Sequence, residues 1–95
     1  MQVKHKSLEL DFEIPEITQG SMEKYEKILQ PMIKDVGGIE VAVYSGAVVR
    51  AAIKAGWLPS EMTEETIADW KPGKVSFLTG KITEAVQEAR SIPPD

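Results

Sequence analysis

The sequence has no cysteine and only one histidine, His5. The missing cysteine excludes disulfides, thiolate nucleophiles and sulfur-based zinc sites, and it suits a reducing compartment. A lone histidine between Lys4 and Lys6 reads as a solvated side chain. A Ser-His-Asp nucleophile would have to be built on it, from a chain terminus. Long apolar runs are also missing. The stretch from Ile39 to Ile53 is interrupted by Glu40, Ser45 and Arg50, too short and too charged to span a bilayer. The opening Met1-Gln2-Val3-Lys4-His5-Lys6-Ser7 has no apolar segment of the secretory type. No membrane association and a cytoplasmic location are therefore expected. Positive charge is in the minority, with 11 Lys and Arg against 15 Asp and Glu and a net charge of −4. No basic run offsets this, so the phosphate backbone would repel the chain and nucleic acid is not an expected partner.

What is present is ordinary for a folded domain. Ninety-five residues with 42% apolar and 27% charged content predict a single domain over 1–95. It should have an N-terminal strand or arm over 1–14 and a helical core over 21–90. Leu8, Leu10, Phe12 and Ile14 alternate with Glu9, Asp11 and Glu13, the pattern of a strand with one buried face. Pro15 closes it. Ser21 suits an N-cap. It opens a helix whose apolar face is Met22, Tyr25, Leu29, Met32, Ile33 and Val36. Pro31 should kink or divide that helix, and Gly37-Gly38 should end it.

A second helix is expected from Val43 to Ala55, with Gly56 at C′ and Trp57 folding back as C″. Thr63 should cap a short third helix to about Asp69, with Glu64 and Glu65 in its first turn. The fourth should run from Pro72 to Ala89, with Val75, Leu78, Ile82, Ala85 or Val86, and Ala89 repeating at helical spacing. The predicted fold is mainly α: a small bundle of about four short helices preceded by one β-strand.

Chemistry is sparse. Glu9, Asp11 and Glu13 lack the glycine and closing glutamate of a calcium loop and read as the solvated face of the strand. Gly73-Lys74 and Gly80-Lys81 miss the spacing of a phosphate loop, and Ile82 stands where a hydroxyl is required. Gly80 inside a helix suggests a tight helix crossing. Glu61, Glu64, Glu65 and Asp69 read as a solvated helix start or, less economically, a docking surface for a basic partner. No catalytic residue, metal ligand or cofactor site is expected, so the chain reads as non-enzymatic. Its candidate interaction residues are Leu8, Leu10, Phe12 and Ile14 on the strand, with Trp57 and Trp70 as core or interface anchors. A lone strand leaves backbone groups unpaired. It should pair either with Ile39–Val43 or, the favoured alternative, with another copy or a partner, making the chain a homo-oligomer.

The segment Val48-Val49-Arg50-Ala51-Ala52-Ile53-Lys54-Ala55-Gly56-Trp57 is followed by an acidic link. After it come Ile67-Ala68-Asp69-Trp70-Lys71-Pro72-Gly73-Lys74-Val75, then Leu78, Lys81-Ile82 and the ending Ser91-Ile92-Pro93-Pro94. Residues 48–94 resemble small proteins of the tail-gene clusters of long-tailed bacteriophages, the tail assembly chaperones. The N-terminal strand and Gly37-Gly38 fall outside that pattern. The resemblance implies a protein that keeps the long tape-measure protein soluble during tail-tube assembly, in the cytoplasm of a host cell, with no catalytic residues. The alternative is a small regulatory or DNA-associated helical module in which the third and fourth helices form a helix-turn-helix. The few basic residues at the start of the fourth helix argue against it.

Overall fold

The computed structural model describes residues 1–34 and 41–92. These described residues are mainly helical, with four helices and a two-stranded N-terminal sheet among them. In order these are β1 (Gln2–His5), β2 (Leu10–Glu13), α1 (Gln19–Lys34), α2 (Val41–Lys54), α3 (Glu64–Ala68) and α4 (Pro72–Arg90). No helix among the described residues is long and apolar enough to cross a membrane.

The alternating segment does form a strand, but a shorter one, and its partner lies upstream. β2 pairs antiparallel with β1 in the register Gln2↔Glu13, Val3↔Phe12, Lys4↔Asp11 and His5↔Leu10. The ladder continues one step further, because the Ile14 N–H donates to the Met1 carbonyl and the Met1 ammonium donates to the Ile14 carbonyl, both at 2.8 Å. This corrects the expected pairing with Ile39–Val43. Val41 and Val43 belong to α2, while Ile39 lies outside the described residues, as do Val36 and Gly37-Gly38. β2 is therefore not an unpaired strand, although each strand keeps one outer edge among the described residues.

Leu8 sits in the hairpin loop, not on the strand. Its N–H donates to His5 Nδ1 at 3.3 Å, and the Glu9 N–H donates to the Lys6 carbonyl at 3.1 Å. Glu9 closes the loop in the left-handed region at φ 55°. His5 is not the solvated side chain that its lysine neighbours suggested. It is half-buried, with its ring edge-to-face on Phe77 at 4.8 Å. Val3, Leu10 and Ile14 join the core, so the hairpin is a lid whose apolar side rests on the helices.

α1 starts two residues before the expected Ser21 cap. The Ser21 N–H donates to Thr18 Oγ1 at 3.2 Å while the Thr18 N–H donates to Ser21 Oγ at 3.1 Å. This reciprocal arrangement has the logic of a capping box, with Thr18 as the cap and Ser21 three residues in. α1 continues through Pro31 to Lys34 as one helix, so Pro31 does not divide it into two. Among the described residues of its apolar face, Met22 and Tyr25 are buried, while Leu29, Met32 and Ile33 are half-buried.

The end of α2 follows the local sequence closely. Gly56 has φ 82°. Its N–H donates to the Ile53 carbonyl, and the Trp57 N–H reaches back to the Ala52 carbonyl, both at 3.1 Å. These are the two bonds of a Schellman motif, which carries the Trp57 ring back under the helix. Thr63 caps α3 by accepting from the Thr66 N–H at 3.2 Å. In α4, Leu78 and Ile82 are completely buried, and the Thr79 hydroxyl ties α4 to α2 by donating to the Ser45 carbonyl at 3.1 Å. α2 packs between α1 and α4.

Gly80 does not mark a helix crossing. It lies on the exposed side of α4, and a Cβ built there meets nothing within 4 Å. Its effect is thus confined to backbone entropy. Gly80→Ala should stabilise the protein by about 0.5–1 kcal/mol, read as a higher denaturation midpoint at unchanged slope. A loss of stability would place that face of α4 against a neighbour.

Candidate protein-interaction surface

The six interaction residues expected from the sequence do not share one surface. Leu10, Ile14 and Trp57 are 2%, 1% and 2% exposed and belong to the core. Leu8 and Phe12 are half-buried and pack against it. Trp70 is half-buried and lines an open cleft, whereas Ile14 only borders a shallow depression from within the core. The two tryptophans therefore divide between the two roles that sequence alone left open for both, Trp57 as core and Trp70 as rim.

The α3–α4 corner places Trp70. α3 is only five residues long, and its end is tight: the Trp70 N–H donates to the Ile67 carbonyl at 3.0 Å. Lys71 follows in extended conformation and Pro72 starts α4, because proline suits the first helical position and cannot be preceded easily by helix. With Ile67 turned into the core and Pro72 fixing the next helix, the Trp70 ring is left at the junction. The Lys74 ammonium lies 4.1 Å from the ring centroid, close enough for a cation–π contact that holds the indole in place.

Beside the ring a cleft of about 220 Å³ opens between α2 and this corner, lined among others by Arg50, Ile67, Ala68, Trp70, Pro72 and Val75. No carboxylate lines it among the described residues. Arg50, on the exposed side of α2, supplies the lining's one formal charge, and Lys74 adds a second at the ring. The site is thus apolar at its floor and basic at its rim. Sequence reasoning missed Arg50, Pro72 and Val75 as a group. Pro72 and Val75 are read from sequence only as helix start and core, and nothing local announces that Arg50, twenty residues away from Trp70, faces the same opening.

A second depression is lined by Ile53, Leu58, Met62, Glu64 and Glu65. Glu64 and Glu65, which line it, and Glu61 and Asp69, which do not, are all exposed, as expected of a solvated helix start. Lys54 pairs with Glu64 at 3.8 Å, an exposed contact of little energetic weight. At the opposite end of α4, Arg90 pairs with Glu26 of α1. Two shallow depressions there carry Glu16, Glu23, Glu26 and Glu88 around Ile17 and Ala89. Charge is therefore unevenly placed, basic at the Trp70 cleft and predominantly acidic at the far end of α4. No family model matches this chain, and no curated protein or solved structure is significantly similar to it.

Proposed function

We propose that the chain is a non-enzymatic protein-binding domain that receives an apolar side chain of its partner in the Trp70 cleft. The carrying observation is the half-buried Trp70 at an apolar opening with a basic rim. A rigid aromatic anchor beside a small pocket is the arrangement that concentrates binding energy at protein interfaces. The resemblance of residues 48–94 to bacteriophage tail assembly chaperones gives this reading a specific form. Trp70, Pro72 and Val75 fall within the resembling segment, and the partner would be the tape-measure protein, a long chain with apolar helices to cover.

Co-expression with the tape-measure protein of the same gene cluster tests this. The chain should raise the soluble fraction of the tape-measure protein, and Trp70→Ala should remove that effect while leaving its own unfolding transition in place. Equal solubility with and without the chain sinks the chaperone reading. Equal rescue by wild type and Trp70→Ala moves the contact away from the cleft.

A further inference from the structure

We infer that the Trp70 cleft selects an acidic partner segment, one in which Asp or Glu flanks the apolar side chain that enters. This rests on the reading of the cleft as a binding site and keeps the same occupant, adding the chemistry that recognises it. Burial of an aliphatic side chain in an apolar opening is non-directional and favours no flanking sequence. Charge at the rim therefore decides which apolar segment is taken.

The rim is positive and lacks a counter-charge. Arg50 lines the cleft from the exposed side of α2, and Gly46, one turn earlier, lines it too. A Cβ at Gly46 would stand 3.3 Å from Arg50 Nη1, tighter than ordinary contact. The glycine thus leaves the guanidinium room to lie back along the helix at the mouth of the cleft. Lys74 is half-buried, with its ammonium 4.1 Å from the Trp70 ring centroid. An ammonium over a ring face keeps N–H groups on its far side for an acceptor. The ion pairs among the described residues join Lys54 to Glu64, Lys81 to Glu84 and Arg90 to Glu26. None of them uses Arg50 or Lys74. Asp69, next to Trp70 in sequence, is exposed and outside the lining. Two cations thus stand at an apolar opening lined by no carboxylate among the described residues. A planar guanidinium matches a carboxylate with paired hydrogen bonds. Net charge alone predicts the reverse choice. The chain carries −4, so at long range it repels an acidic segment and attracts a basic one. At physiological ionic strength that field is screened beyond about 8 Å, while the rim acts at contact.

The two expectations separate in a titration of the full chain with the peptides Glu-Glu-Leu-Glu-Glu, Gln-Gln-Leu-Gln-Gln and Lys-Lys-Leu-Lys-Lys. All are acetylated and amidated, so no terminal charge contributes. The readout is the pair of indole N–H resonances. There are two tryptophans, and Trp57 is buried, so its signal is the internal control. The Trp70 signal should move. The Glu peptide should bind about 3- to 10-fold more tightly than the Gln peptide, as two exposed ion pairs allow, and the Lys peptide should be weakest. The spread should close in about 1 M salt. Arg50→Glu, at an exposed position and with an unchanged unfolding transition, should invert the order. Trp70→Ala, followed on backbone amides, should end binding of all three. Equal affinity for the Glu and Gln peptides, or preference for Lys, overturns the inference. So do shifts that leave Trp70 unmoved, or no binding at all. Gln-peptide binding at Trp70 without a gain for Glu leaves the cleft as a binding site while the acidic preference falls. A Glu preference beside a failed tape-measure test does the opposite.

Discussion

Trp57→Ala should cost about 3–5 kcal/mol in chemical denaturation, whereas Trp57→Phe should stay within about 1.5 kcal/mol of the parent. The first figure follows from burial. Trp57 is the largest fully buried side chain, and its ring lies against Tyr25 with centroids 4.6 Å apart. Removing it leaves a cavity that the surrounding helices cannot close, because α2 and α4 are already in contact. The second figure follows from the indole N–H. Trp57 Nε1 is buried and meets no acceptor among the described residues. A desolvated, unpaired donor costs about 1–3 kcal/mol. Phenylalanine loses some apolar volume but removes that donor, and the two effects oppose each other. If Trp57→Phe were as damaging as Trp57→Ala, the N–H would have to be satisfied in solution. Tyr25 shares this environment. Burial first, then the neighbouring Tyr44, push its phenol up to about 12, so the buried ring stays uncharged beyond the pH at which a solvated tyrosine ionises.

Leu78→Ala and Ile82→Ala should each lower stability by about 2–4 kcal/mol. Both side chains are completely buried on the face that α4 turns to α2, one turn apart, with Thr79 between them donating to the Ser45 carbonyl of α2. Because the two positions are adjacent and share one packed layer, the double variant should cost less than the sum of the singles, since the second truncation enlarges a cavity that already exists. The measurement is the denaturation midpoint at constant slope. A loss below about 0.5 kcal/mol at either site would mean that α4 presents a different face to α2.

These predictions rest on features of unequal visibility in the sequence. The register of α4 was legible because apolar residues repeat over four turns, and a helical face needs only that period to be defined; Leu78, Ile82, Ala85 and Val86 of that repeat are buried, whereas Val75 is half-buried and Ala89 is exposed. The turn after α2 was legible because its signal is local: Gly56 tolerates the left-handed conformation, and the two backbone bonds close within five residues. Thr63 was legible as a cap for the same reason. Thr18 was missed, since threonine and serine three residues apart both suit a cap and only the geometry separates them. Of the hairpin, β2 was visible because its Leu10 and Phe12 belong to an alternation running from Leu8 to Ile14, although Leu8 falls in the loop and Ile14 just past the strand. β1 was not, because four residues containing only Val3 and His5 on the inward side are too few to define a period.

The sequence by itself determined the helical class, the order of the helices, most of their ends and the buried face of the last one. Those depend on contacts within a turn or two of chain. Only the tertiary structure decided where β2 finds its partner, that His5 rests on Phe77, that Gly80 faces outward, and that Trp57 is core while Trp70 borders a cleft. Each of these is set by residues distant in sequence that become neighbours when the helices pack. Trp57 and Trp70 illustrate the difference most directly. Each tryptophan follows a helix end, yet the Schellman turn carries Trp57 back against α1, while Pro72 fixes α4 in a direction that leaves Trp70 at the rim beside Arg50.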